Sequence, residues 1–402
     1  MKIGPKVKKY IIHLLLTTVF GGVIGLLNYL FNIGLARFSS EEVFSIYAAA
    51  IGLIYLIQIP TISIQSIITK SIGESKDGDI SRFKVKSFLI FTLMGIGFGI
   101  IFLIFTPLIA NTASIPEYVI PSLAITLTLA FITPISRGIL LGKERIVTVN
   151  LILFVETVFK FVLGYLAIKI GSNINLLILA NSLPAFLSCI VILPLIKTNR
   201  LNKRKIKINF KELLLITIGF LLLSVPYTVD LILVPTQFRA EYAALSLIGK
   251  LVYFASITIA AVMFARLSNQ RNKRDELKTL GITIGVTSLI GFGMTVGIFL
   301  FKDLIINFAF GGKYAEISTY FILFGFCMSL YAITFLLANF FFSKGSYWYI
   351  SILLLVTVLQ IILFKYLSTD IGSVVRNQVV VYVTLLVLTL FYLLLRKKER
   401  NF

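Results

Sequence analysis

A chain of 402 residues that is 58% hydrophobic and only 14% charged is not a soluble globular protein, whose apolar share is lower and charged share higher. Its 38 Lys and Arg exceed its 17 Asp and Glu, but the bases collect in short polar breaks between apolar runs. The net charge of +21 therefore needs no nucleic-acid partner and fits inner loops beside anionic headgroups. Cys189, Cys327 and the single histidine, His13, sit in apolar runs without a carboxylate cluster, so neither a metal centre nor a cofactor is expected.

Spanning strands would alternate with period two, whereas the apolar runs here continue for about twenty residues or more, as spanning helices do. The first run follows a basic N-terminus but continues to Ala36, too long for a typical secretory signal, and reads as an uncleaved helix. Twelve spans are expected in all, over roughly 10–35, 42–69, 86–110, 117–140, 147–169, 174–196, 212–236, 241–265, 279–301, 317–342, 348–367 and 374–395. With the N-terminus cytoplasmic, the basic clusters 70–86, 137–145, 197–211, 266–278 and 396–400 all fall inside. The outer side carries the isolated Arg37, Lys169, Arg239, Lys302, Lys313, Lys365 and Arg376. This asymmetry predicts a cytoplasmic location for both ends.

The longest polar break, 197–211, divides six spans from six and predicts two bundles, 1–199 and 200–402. Residues 42–70 resemble 241–269, each the second helix of its half, as expected of parallel repeats that leave a cleft able to open to either side. The fold class is all-α and polytopic. Outer loops are too short for the outer domains of membrane glycosyltransferases, polymerases or ligases, and there is no GxxxxGK[ST] phosphate loop.

Charges at membrane depth mark candidate sites, because burying them in lipid costs several kcal/mol or more. Within 226–250, PYTVDLILVPTQFRAEYAALSLIGK, a hairpin turn near Ala240 would put Asp230 and Lys250 ten residues either side of it. Both would then lie ~15 Å below the outer surface, able to meet. Glu156 and Lys160 are four apart, the spacing of a same-face pair. Each pair reads either as neutralisation needed for insertion or as a place where a proton or cation exchanges during transport, the second reading being stronger for Asp230. Pro226 and Pro235 bracket Asp230, and Pro60 holds a comparable place in the first half; they are hinge candidates or static kinks. Gly21, Gly22, Gly25, Gly95, Gly97 and Gly99 are expected to be close-packing surfaces, and Tyr347, Trp348 and Tyr349 interfacial anchors.

Three stretches carry a family likeness. Residues 137–168, RGILLGKERIVTVNLILFVETVFKFVLGYLAI, resemble the fourth helix, inner loop and fifth helix of oligosaccharide flippases in the multidrug/oligosaccharidyl-lipid/polysaccharide exporter superfamily. Residues 307–316, NFAFGGKYAE, resemble the outer turn after their ninth helix, and 21–72 their opening helix pair with Pro60. The resemblance implies a V-shaped pair of six-helix bundles in the cytoplasmic membrane. By alternating access, these would flip an undecaprenyl-diphosphate-linked oligosaccharide from inner to outer leaflet. The cavity helices of that family correspond here to positions offering Lys250, Arg239 and Arg37 to the diphosphate, and Asn28, Asn32, Gln58, Gln65 and Gln237 to sugar. Of these three bases only Lys250 is deep, where lipid II flippases carry several deep arginines. The implied partners are the lipid-linked glycan, membrane lipids, a coupling proton or sodium ion and polysaccharide polymerase or export proteins, around a monomer. A multidrug or small-molecule cation antiporter of the same superfamily is the competing reading; a membrane glycan ligase or polymerase ranks below it.

Overall fold

Proline fixes φ, lacks an amide hydrogen and biases the residue before it away from helix, so a long apolar run is cut where one occurs. In the computed structural model, which describes residues 5–74, 79–171, 173–196, 206, 208–267, 273–343 and 348–399, several interruptions of helix sit beside a proline, among them those at Gln58, Thr133 and Val234. Side chains are described over those residues except 5–19, 21–22, 74, 216, 255–267, 273–279, 342–343 and 396–399. The elements are α-helices and two 3-10 turns, with no strand among the described residues. The chain folds as two units, Met1–Leu221 and Leu222–Phe402.

The first unit opens with α1 (Pro5–Phe38) and α2 (Glu41–Ile57), whose first turn is capped by the Ser40 hydroxyl accepting from the Val43 amide. Gln58 interrupts the helix just before Pro60, and α3 (Ile59–Glu74) continues it. Then come α4 (Ile80–Ile104), α5 (Thr106–Ala113), a 3-10 turn over Glu117–Val119, α6 (Ile120–Ile132) and, after Thr133, α7 (Pro134–Gly142). The unit continues through α8 (Ile146–Lys169), α9 (Ile174–Leu179), α10 (Leu183–Leu195) and the start of α11 (Phe210–Thr228). Isoleucines of α3 and α7 form its core with Phe83, Phe91, Val149 and Leu213. At its edge Lys70 of α3 and Glu212 of α11 form an ion pair at 2.5 Å.

The second unit holds α12 (Asp230–Leu233), α13 (Thr236–Leu267), α14 (Lys273–Leu300), α15 (Lys302–Phe310), a 3-10 turn over Ala315–Tyr320, α16 (Phe321–Ser343), α17 (Tyr349–Tyr366) and α18 (Ile371–Glu399). It repeats a segment of the first. In both, a long helix ends at a phenylalanine (Phe105, Phe301), and a short helix follows that is closed by a left-handed residue (Ser114, φ 48°; Gly311, φ 64°). A 3-10 turn then leads into the next helix. The long helices pack on their partners through the same small contact reversed: Gly95 and Gly99 of α4 meet Thr128 of α6, while Thr295 of α14 meets Gly325 of α16. A Cβ on Gly95 would come 2.6 Å from the Thr128 carbonyl oxygen, so that position needs glycine. Gly25 and Gly97, expected on close-packed surfaces, have no such neighbour within 4 Å.

Among the described residues, nine helical stretches are long and apolar enough to cross a membrane. The expected spans 10–35, 174–196 and 241–265 are not among them. The first and third run into side chains outside the described ones, although α1 and α13 cover them as continuous helix. The 174–196 run is cut into α9 and α10 just ahead of Pro184. Other expectations meet the same boundary: the side chains of His13 and Tyr347, the neighbours of Gly21 and Gly22, and most of 197–211 lie outside the described residues. Trp348 is 81% exposed, as an interfacial anchor would be, but Tyr349 is fully buried and bonds Thr389 at 2.9 Å, so it is a core residue instead.

Candidate substrate and coupling site

Pro226 lies in the last turn of α11, and its missing N–H weakens the ladder where the helix stops at Thr228. After Val229 the single turn of α12 ends at Val234, which is extended (φ −63°, ψ 131°) ahead of Pro235. The chain therefore reverses at Val234–Pro235, and Ala240, expected in the turn, is inside α13. Proline stops the helix several residues before hydropathy would.

Breaks inside a membrane-length run release backbone carbonyls that lipid cannot satisfy. Three donors converge on the Pro226 carbonyl: Gln360 Nε2 at 3.0 Å, Gln378 Nε2 at 3.0 Å and the Tyr382 hydroxyl at 3.2 Å. Gln360 Nε2 also reaches Gln378 Oε1 at 3.2 Å, and Gln360 Oε1 is buried without a hydrogen-bond partner among the described residues. Arg239 serves the second break. It is 1% exposed, and its Nη2 donates to the carbonyls of Val234 at 3.1 Å and Ile232 at 3.4 Å, closing the open end of α12.

Between these breaks lies Asp230, completely buried. Its Oδ1 accepts from the Leu231 amide at 2.8 Å and its Oδ2 from the Tyr242 hydroxyl at 2.9 Å. Lys250, 5% exposed, brings Nζ to 3.9 Å from Oδ1 and 5.9 Å from the centre of the Tyr227 ring. Asp230 and Lys250 thus meet, in a cage of tyrosines. Tyr331 stacks on Tyr382 at 4.8 Å and lies 5.2 Å from Tyr253 and 5.6 Å from Tyr227.

In the first unit the expected Glu156–Lys160 pair is not formed. Glu156 of α8 accepts a short hydrogen bond from Ser188 of α10 and lies 3.7 Å from Arg137 Nη1 of α7. Lys160, one turn further on, donates to Asn28 Oδ1 of α1 at 2.8 Å and sits 5.1 Å from the Phe31 ring centre. The shared spacing brings the two Cβ atoms near one another. A guanidinium and a hydroxyl from α7 and α10 supply Glu156 with better geometry than its own helix does.

The remaining candidates are scattered. Asn32 donates to the Asn28 carbonyl at 2.9 Å, Gln58 marks the α2–α3 break, Gln65 is half-buried on α3, and Arg37 lies 5.6 Å from the Phe38 ring centre. Gln237 is exposed in the first turn of α13. Gln360, Gln378, Tyr242, Tyr382, Arg137 and Ser188 were not singled out from sequence. The two glutamines carried the one available signal, an amide inside an apolar run.

Solved structures match this all-helical, two-unit fold over nearly the whole chain. The lipid II flippase MurJ in an inward closed conformation is 16% identical, with a TM-score of 0.73, covering 94% of this chain and 87% of that one. An inward-facing multidrug resistance MATE family transporter of the MOP superfamily is 14% identical, with a TM-score of 0.71, covering 94% and 96%. A MOP superfamily transporter from Pyrococcus furiosus, described by the reversed polarity of its binding pocket, is 14% identical, with a TM-score of 0.55, covering 96% and 94%. No curated protein sequence matches. The chain belongs to the polysaccharide biosynthesis protein family, whose model matches residues 12–229, more than half its length. It is a multi-pass membrane protein with the fold of the exporter superfamily that the sequence resembled.

Proposed function

We propose that this protein flips an undecaprenyl-diphosphate-linked oligosaccharide, a repeat unit of O-antigen, capsule or a related polysaccharide, from the inner to the outer leaflet of the cytoplasmic membrane. The observation that carries the reading is the polysaccharide biosynthesis match over residues 12–229, on a fold shared with a lipid II flippase. Both termini are cytoplasmic in this scheme, and 1–199 and 200–402 are the halves whose alternating access exposes the substrate to one leaflet and then the other. Asp230 is the coupling carboxylate, serving a proton or sodium ion in exchange with Lys250, and Pro226 and Pro235 give α12 freedom to shift; the complete burial of the carboxylate beside Lys250 supports that role. Arg37, Gln58, Gln65 and Gln237 remain sugar or diphosphate contacts, whereas the carbonyl-capping geometry of Arg239 favours a positioning role.

The test is translocation of a fluorescent undecaprenyl-diphosphate oligosaccharide in proteoliposomes, with and without proton or sodium gradients. Activity in the wild type that Asp230→Asn abolishes under a gradient is the expected result. Well-folded protein inactive under every gradient overturns the flippase reading. The similarity to multidrug MATE transporters supports a second reading, cation antiport, which would then be measured by efflux of a fluorescent organic cation.

A further inference from the structure

The sequence offered Lys250 as the deep cation for an anionic substrate, but Lys250 stands beside Asp230, and Arg137 beside Glu156. Lys160 is different. Its ammonium donates to an amide oxygen and faces an aromatic ring, and among the described residues no carboxylate lies within ion-pairing distance of it. Glu156, one turn away, is engaged by Arg137 and Ser188. Lys160 is nine residues from the end of α8, ~14 Å along the axis, and so stands at membrane depth with no counter-charge among the described residues.

Its surroundings are donors. Asn28 Nδ2 gives one hydrogen to the Ile24 carbonyl at 3.0 Å, and Asn32 Nδ2 gives one to the Asn28 carbonyl at 2.9 Å. An amide nitrogen has two hydrogens and an ammonium three, so among the described residues each of these groups keeps at least one undonated. Asn28 and Asn32 are one turn apart on α1, Lys160 bridges to Asn28 from α8, and all three are half-buried rather than sealed. Partly open donors around an uncompensated cation are poorly placed against hydrocarbon and well placed against an oxyanion. The Phe31 ring centre lies 5.1 Å from the ammonium, and Gly164 admits that ring, since a Cβ there would collide with it.

We infer that Lys160, with Asn28 and Asn32, is the seat for the diphosphate of the polyprenyl carrier, Lys160 supplying the charge and the amides the directed hydrogen bonds. This assignment rests on the flippase reading and names a different cation from the one the sequence suggested.

The protein in phosphatidylcholine nanodiscs is titrated with fluorescent undecaprenyl diphosphate, with phosphatidylglycerol as competitor. Lys160→Gln is expected to weaken binding tenfold or more and Lys160→Arg no more than about threefold, while Lys169→Gln, the same charge change at the end of the same helix, leaves it unchanged. Phosphatidylglycerol is expected not to displace the probe. If the wild type binds and Lys160→Gln binds equally, the seat is elsewhere and the flippase reading stands. Displacement by phosphatidylglycerol at equal concentration assigns the site to ordinary anionic lipid and overturns the inference. A wild type that binds no diphosphate overturns both. Should Lys160→Gln fail to fold, Asn32→Leu, which leaves the lysine in place, is expected to weaken binding about threefold, and unchanged affinity there would equally overturn the seat.

Discussion

Substitution of Asp230 probes the energy held in the buried pair of the second unit. At 3.9 Å and an effective dielectric of ~20, the attraction between its carboxylate and Lys250 is about 4 kcal/mol. Neither group has water to return to, and removal of one partner from a buried pair costs ~3–5 kcal/mol. In Asp230→Asn the amide nitrogen must also face either the Tyr242 hydroxyl or the ammonium, both donors toward it. Asp230→Asn and Lys250→Met should therefore each lower the unfolding free energy by ~3–5 kcal/mol, and the double variant should lose ~2–4 kcal/mol less than their sum. Unfolding by SDS titration of mixed micelles, followed by far-ultraviolet circular dichroism, measures all three. Losses that add to within ~0.5 kcal/mol would show that the two charges do not stabilise one another, and the pair would lose its claim to be a coupled site.

Gln378→Leu withdraws one of the donors on the Pro226 carbonyl and should cost about 0.5–2 kcal/mol in the same titration, with Gln360→Leu similar. Gly164→Ala forces the Phe31 ring aside and should destabilise by about 1–3 kcal/mol, whereas Gly97→Ala, with open space around it, should not, as thermal unfolding of the two in detergent would show. Asp370 caps α18, its Oδ1 accepting from the Ser373 amide at 2.9 Å; that bond, then the Thr369 hydroxyl and nearby Arg376, hold its carboxyl below the usual carboxylate range. A lowered folded pKa means the cap stabilises above the unfolded pKa of about 4 and is lost as pH falls through the lower folded value. Amide exchange at the first turn of α18 should therefore quicken below about pH 4 in the wild type and stay insensitive to pH, after correction for intrinsic rates, in Asp370→Asn.

Much of this architecture could be read before any coordinates, because apolar run length and the sidedness of Lys and Arg follow directly from the bilayer. Asp230 and Lys250 could be paired in advance because an acid and a base placed symmetrically about one turn reach the same depth, where each is costly alone. Partner choice on a crowded helix could not. The four-residue spacing of Glu156 and Lys160 is real, yet it says nothing of a guanidinium arriving from α7 or an amide from α1. Arg239 looked like a loop cation open to substrate; only the stop at Val234 turns its neighbours' carbonyls into its partners. Gln360 and Gln378 were hidden because the group that needs them is 134 and 152 residues away in sequence.

That separation has a consequence for how the protein is made. The Pro226 carbonyl enters the bilayer before the ribosome has added the hundred and more residues that lead to its partners, because all three side chains that satisfy it are on α17 and α18. Until they arrive, an unpaired carbonyl sits at membrane depth, where its desolvation costs several kcal/mol. The nascent second unit is therefore committed late, and a chain that ends after α16 would leave the translocon with this break exposed to membrane quality-control proteases.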